Sequence, residues 1–183
     1  QFDTHTPQPV FFDLNGDGVC DPSNPPAEPC VNGFAGIYPC DQVDLMAHLN
    51  PTAVGGGEMN DIWGWTDPLD GKEYALLGKT TGTAFIDISD PVNPVFLGEL
   101  PTHTSSSSWR DIKVYADHAF IVSEASGHGM QVFDLTNLRD VSNPPVTFSS
   151  DAHYGGFGNC HNIAINEASG RAYPIGANTF SGG

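Results

Sequence analysis

Basic residues are scarce in this chain: 6 Lys and Arg stand against 22 Asp and Glu in 183 residues, a net charge of −16. So few cations leave almost nothing to neutralise phosphates, which makes nucleic acid a poor partner and argues against anionic membrane surfaces. Long apolar runs are missing too, and none approaches the roughly 18 residues of a membrane helix. No basic-plus-apolar signal segment is visible, so the chain, which starts at Gln1, reads as a mature or excised form whose signal peptide has already been removed. There is no CxxC zinc spacing, no HExxH, no Gly-x-Ser-x-Gly elbow and no paired-carboxylate motif. Metalloprotease, serine hydrolase and zinc-finger chemistry therefore have no local signature to stand on.

Glycine and proline are plentiful, at 21 and 15, and the aromatics number 3 Trp, 5 Tyr and 11 Phe. Many turn formers together with many large apolar rings exclude a disordered tail and point to an all-β domain of short strands. Four cysteines lie at 20, 30, 40 and 160. Three fall in a Pro- and Asn-rich segment that can bury little, so we read them as staples in an exported protein; the alternative is buried free thiols in a cytosolic one. Cys30 and Cys40 bracket a Gly-containing loop that can close tightly, leaving Cys20 and Cys160, or Cys160 and a cysteine beyond Gly183, as the other pairing.

Residues 1–59 form an N-terminal arm or cap with the cysteine cluster and one short helical candidate, Asp41 to Leu49, carrying Val43, Leu45, Met46 and Leu49 at mixed three-to-four spacing. From residue 60 to 183 the text becomes short apolar runs with turn signals between them. Strands are expected at 61–65, 73–78, 83–88, 111–115, 118–123, 130–135, 162–166 and 171–176. These runs recur: Asp111-Ile112 answers Asp61-Ile62 at an offset of 50, Ala119 answers Ala75 at 44, and Gly129 answers Gly82 at 47. A third copy opens at Asn162-Ile163. Three or four strands per unit at such a period is the signature of β-propeller blades, here two full repeats and the start of a third.

Phe85-Ile86-Asp87-Ile88-Ser89-Asp90-Pro91-Val92-Asn93-Pro94 resembles the signature of LVIVD-repeat β-propellers, and within them the bacterial choice-of-anchor B surface proteins. Asn60 to Trp65, Trp109 to Lys113, Ser123 to Asp134 and His161-Asn162-Ile163 extend the likeness from about residue 30 onward. The resemblance implies secretion and attachment to the cell envelope, and leaves activity undefined.

The sharpest chemical motif is Asp13-Leu14-Asn15-Gly16-Asp17-Gly18-Val19-Cys20-Asp21. Oxygen side chains at alternate positions followed by glycine repeat the first half of an EF-hand loop. Asp13, Asn15 and Asp17, with the Val19 carbonyl and Asp21, would surround one Ca²⁺. Asn24 replaces the bidentate Glu of an EF-hand, so the loop instead resembles dockerin and thrombospondin type 3 loops. An ordinary Asx-turn with solvated carboxylates is the alternative. Asp67 and Asp70 read as turn formers, and the recurring Asp87 and Asp134 as acceptors bonding backbone between strands.

Seven histidines are many for this length, and His103, His128, His153 and His161 lie in loops that a propeller would gather at one rim with Arg110, Asp61 and Asp111. The simpler reading is structural. Trp63, Trp65 and Trp109 are expected to pack between blades, or as a rim pair to hold sugar rings. Two functions follow. One is a non-enzymatic, calcium-stabilised cell-surface or extracellular-matrix protein, whose partners in adhesion or assembly are envelope or matrix proteins, glycans or copies of itself. The other is a secreted metal-dependent, hydrolase-like enzyme using the histidine-rich rim.

Overall fold

The computed structural model describes residues 27–179, which divide into two compact units. The first runs up to Asn50 and takes in Pro91–Asn93; the second comprises Pro51–Asp90 and Pro94 onward. The described residues are strands and turns, with two 3-10 turns at Pro51–Val54 and Leu135–Leu138 and no α-helix among them. The domain is all-β.

In the first unit, β1 (Phe34–Ala35) and β2 (Tyr38–Pro39) form a minimal hairpin inside a loop closed by the Cys30–Cys40 disulfide, with Cα atoms 5.9 Å apart. The expected helix at Asp41–Leu49 is absent. The Asp44 carboxylate accepts the Cys30 amide at 2.8 Å, Leu45 bridges Glu28 through paired main-chain bonds, and Gln42 sits at φ 57°. The bonds to Glu28 take the Leu45 amide and carbonyl that a helical turn would use internally.

The second unit holds the repeats. β3 (Met59–Thr66), β4 (Glu73–Lys79), β5 (Gly82–Asp87) and β6 (Val95–Pro101) make an antiparallel meander. A short β10 (Val146–Thr147) joins the β6 edge in parallel. Gly98, at φ 147°, lets the two backbones meet, because a Cβ there would collide with the Val146 carbonyl. β7 (Arg110–Tyr115), β8 (His118–Ser123), β9 (Met130–Asp134) and β11 (Ala152–Tyr154) make a second meander. β12 (Asn162–Asn166) and β13 (Arg171–Ile175) form a third hairpin. All eight expected strands are present with ends moved by at most two residues. β6 is an addition: its Gly98 and Glu99 interrupt the apolar pattern. The sheets do not close on one another among the described residues.

Each sheet lays one face on its neighbour. Trp65, Tyr74, Leu76 and Phe85 of the first sheet are buried against Ile112, Ala119, Ile121 and Phe133 of the second, with Phe85 stacked on Phe133 at 4.6 Å. The opposite face of the second sheet, through Phe120, Val122 and Met130, packs on Ile163 and Ile165 of the third hairpin. Alternation along each strand is thus used on both faces, once per neighbour.

Trp65 alone of the three tryptophans is core: it is buried, stacks on Tyr74 at 5.2 Å, and donates its indole N–H to Asp117 at 3.1 Å. Trp63 and Trp109 remain exposed, Trp63 lying beneath the Lys113 ammonium at 4.3 Å. Asp67 closes its turn as expected, accepting the Leu69 amide at 2.8 Å. It is also buried and takes a bidentate pair of bonds from Arg139 at 2.6 and 2.7 Å, tying the first sheet to the segment after β9. Asp87 and Asp134 are acceptors, but within their own turns: each takes the amide two residues on, Ser89 at 2.9 Å and Thr136 at 2.9 Å. An Asx-turn satisfies the carboxylate locally, so no partner strand is needed.

Candidate functional site

The strand registers bring the start of β3, β7 and β12 and the ends of β4, β6 and β8 to one end of the unit. That end carries the histidine-rich loops. Arg110 enters from the first residue of β7 and is buried. It donates from Nε to the Lys79 carbonyl at 3.0 Å and from Nη1 to His128 Nε2 at 3.1 Å. His128 donates from Nδ1 to the Gly129 carbonyl at 3.0 Å, so its ring is neutral with the proton on Nδ1. Burial, reinforced by the Arg110 charge, pushes the His128 imidazole down to about 4, against the upward pull of the Gly129 carbonyl. Burial likewise pulls the Arg110 guanidinium down to about 10, with Glu99 opposing.

Two more imidazoles adjoin this pair. His153 donates from Nε2 to the His128 carbonyl at 2.7 Å, and His103 stacks on His153 at 3.7 Å between ring centres. The expected gathering of His103, His128 and His153 beside Arg110 is therefore present. Asp111 and His161 are not part of it. Asp111 turns away to accept the Ile163 amide at 2.7 Å, and His161 pairs through Nδ1 with Glu124. Among the described residues, no three or more His, Cys, Asp or Glu side chains are placed to share a metal ion. The Arg110 Nη2 and the Thr102 and Thr104 hydroxyls are buried there with no hydrogen-bond partner among the described residues.

Asp111 belongs to a second arrangement, between the sheets. Asp61, near the start of β3, accepts the Ile112 amide of β7 at 2.9 Å. Asp111, the equivalent residue of β7, accepts the Ile163 amide of β12. One repeat thus hands a carboxylate to the first-strand amide of the next, twice over. Burial, and the nearby Asp111 charge, raise the Asp61 carboxyl above its ordinary value, although its bond to Ile112 opposes them. Asp111 also binds the Lys113 ammonium at 2.6 Å.

Lys79 completes the polar framework and was not legible as part of it. Its ammonium is fully buried, donating to the Val54 carbonyl at 2.8 Å and to Glu99 at 2.7 Å. Glu124 was equally unmarked as a partner, although it lies in the run Ser123 to Asp134. Cys160 is a buried free thiol with Sγ 3.0 Å from the Asn162 carbonyl. Its expected partners, Cys20 or a cysteine beyond Gly183, lie outside the described residues. The calcium-type residues Asp13, Asn15, Asp17, Val19 and Asp21 lie outside them as well.

No family model, curated protein or solved structure matches the chain. No helix of the described residues is long and apolar enough to cross a membrane.

Proposed function

We propose that this chain is a non-enzymatic scaffold of the extracellular surface or matrix, in which propeller-type blades are stacked in series and mediate adhesion or assembly. The observation that carries it is the repeated carboxylate-to-amide bond between successive first strands. Such a contact uses the acidic residues as joints between repeats, and two of the rim histidines are held by bonds within the second repeat. His128 is held between a guanidinium and a carbonyl, and His153 is committed to a main-chain acceptor. A general base needs a free lone pair beside a nucleophile, and here the His128 lone pair faces a cation. The disulfide and the acid excess accord with export.

The donor chemistry of Asp13, Asn15, Asp17, the Val19 carbonyl and Asp21 suits a hard oxygen-liganded cation, so Ca²⁺ is assigned to stiffen the N-terminal arm. Melting in calcium and in EDTA, with elemental analysis of the purified protein, tests the reading. Calcium-dependent melting without stoichiometric transition metal is expected. A stoichiometric transition metal whose removal abolishes a hydrolytic activity overturns it in favour of the enzyme.

A further inference from the structure

We infer that the histidine-rich end of the second unit holds one monovalent inorganic anion of chloride size, bound by Arg110 Nη2 together with the Thr102 and Thr104 hydroxyls. The inference goes beyond the proposed function and does not depend on it. Three successive carbonyls fix the place. Lys79 accepts from Arg110 Nε at 3.0 Å, Thr80 from the Ser107 amide at 3.2 Å, and Thr81 from the Thr102 amide at 2.8 Å. Gln131 holds the same loop from β9, donating to the Pro101 carbonyl at 3.1 Å. The loop after β6 is thereby drawn to the end of β7 where Arg110 enters. Thr102 and Thr104 are half-buried residues whose hydroxyls face inward, and neither hydroxyl nor Arg110 Nη2 has a hydrogen-bond partner among the described residues.

Charge selects the occupant. Arg110 is 4% exposed, and among the described residues no carboxylate pairs with it. Glu99, whose charge does reach it, is committed to the Lys79 ammonium and the Thr81 hydroxyl. A guanidinium donates and cannot accept, and an enclosed one without a counter-charge is strongly unfavourable. The repeat frame does not demand it, since Asn60 and His161 stand at the equivalent positions of the first and third repeats. A water molecule would satisfy the hydroxyls and leave the charge uncompensated; a monovalent anion answers both. Nη2 and both hydroxyls are closed off from the surface, so the site does not admit a peptide carboxylate, whether from another protein or from the rest of this chain. A tetrahedral dianion is excluded too, because its second charge would face the neutral His128 ring.

Thermal melting in which chloride replaces gluconate at fixed ionic strength tests this, with EDTA present throughout so that calcium plays no part. Once chloride exceeds its dissociation constant, each further tenfold should raise the melting temperature of wild type by about 3–5 °C. Arg110→Met should melt alike in the two salts. Should that variant fail to fold, Thr102→Val, at a half-buried position, decides in its place by shifting the chloride dependence to concentrations roughly tenfold higher or more. Crystals grown in bromide should show an anomalous difference peak within contact of Arg110 Nη2. A wild type that melts alike in chloride and gluconate and shows no bromide peak there overturns the inference. So does a chloride dependence that Arg110→Met retains, or one that Thr102→Val leaves unshifted.

Discussion

The first and second sheets are built on one sequence pattern and differ in company. The second has a neighbour on each face, so Ile112, Ala119 and Ile121 on one side and Val122 on the other are fully buried. Among the described residues the first has one neighbouring sheet, and the residue equivalent to Ile112, Ile62, stands largely in solvent. Burial here is a property of adjacency between repeats more than of the residue type, as nearest-neighbour stacking requires. The most direct way to break the comparison is to truncate both isoleucines. Ile112→Ala should destabilise by about 2–5 kcal/mol through lost transfer energy and a residual cavity. Ile62→Ala should stay within about 0.5 kcal/mol. Equal losses in urea melts would mean that the two faces are not in different environments.

The same comparison explains what the sequence disclosed. Strands emerged because short apolar runs between turn residues depend only on local pattern, and the repeats emerged because Asp61-Ile62 and Asp111-Ile112 recur. The pairing of Asp67 with Arg139, 72 residues apart, has no local mark. The bridging role of Asp61 and Asp111 was hidden as well. They read as rim residues because the amides they accept belong to another repeat. The segment at Asp41–Leu49 had apolar residues at helical spacing, but the main-chain bonds of Leu45 to Glu28 and the Asp44 carboxylate's bond from the Cys30 amide overrode it. The histidine cluster was legible as a place, and the bonds that hold His128 between Arg110 and the Gly129 carbonyl were not.

Acid separates the two repeats next. The second carries Arg110 and His128 where the first carries Asn60 and Thr81 at equivalent positions. Because the folded value of His128, about 4, lies below its ordinary 6.5, the unfolded chain binds the proton first. The stability held by the neutral ring is complete above about pH 6.5 and is lost as pH falls toward 4, on the order of 3 kcal/mol in all. Asp67 acts lower down. Its bonds from Arg139 hold its carboxyl below the ordinary value, so that contribution is lost only below about pH 3.9. Melting followed between pH 7 and 4 should fall for wild type and flatten in His128→Gln. A wild-type curve that is level over this window refutes the assignment.

Covalent closure offers a sharper contrast with stacking. The Cys30–Cys40 loop spans a sequence separation of 10, and its closure should contribute about 2–3 kcal/mol to the first unit by restricting its unfolded chain. Replacing both cysteines by serine should therefore release the amides of Phe34 and position 40 to hydrogen exchange. Those amides are bonded to the Val31 and Gly33 carbonyls. Protection that survives the double substitution would show that the hairpin stands without its staple.

The finest distinction lies between the two carboxylates of the inter-repeat joints. Asp111→Ala should cost about 1–2 kcal/mol, because the Ile163 amide is then buried with its acceptor gone. Asp111→Asn keeps an acceptor oxygen but gives up the Lys113 ion pair, part of which is exposed, so its effect should be smaller. Asp61 differs in sign. Its carboxyl is raised by burial and by the neighbouring Asp111 charge, so its ionisation at neutral pH disfavours the native state. Asp61→Asn retains an acceptor for the Ile112 amide and removes that charge, as Asn162 does at the same position of the third repeat. The change should lie within about 0.5 kcal/mol of wild type, with any gain appearing above the raised carboxyl value and vanishing as Asp61 protonates on acidification. Paired urea melts at pH 7 and pH 4 decide it. A loss for Asp61→Asn as large as that for Asp111→Ala would show that the joint depends on the charge and not on the acceptor oxygen.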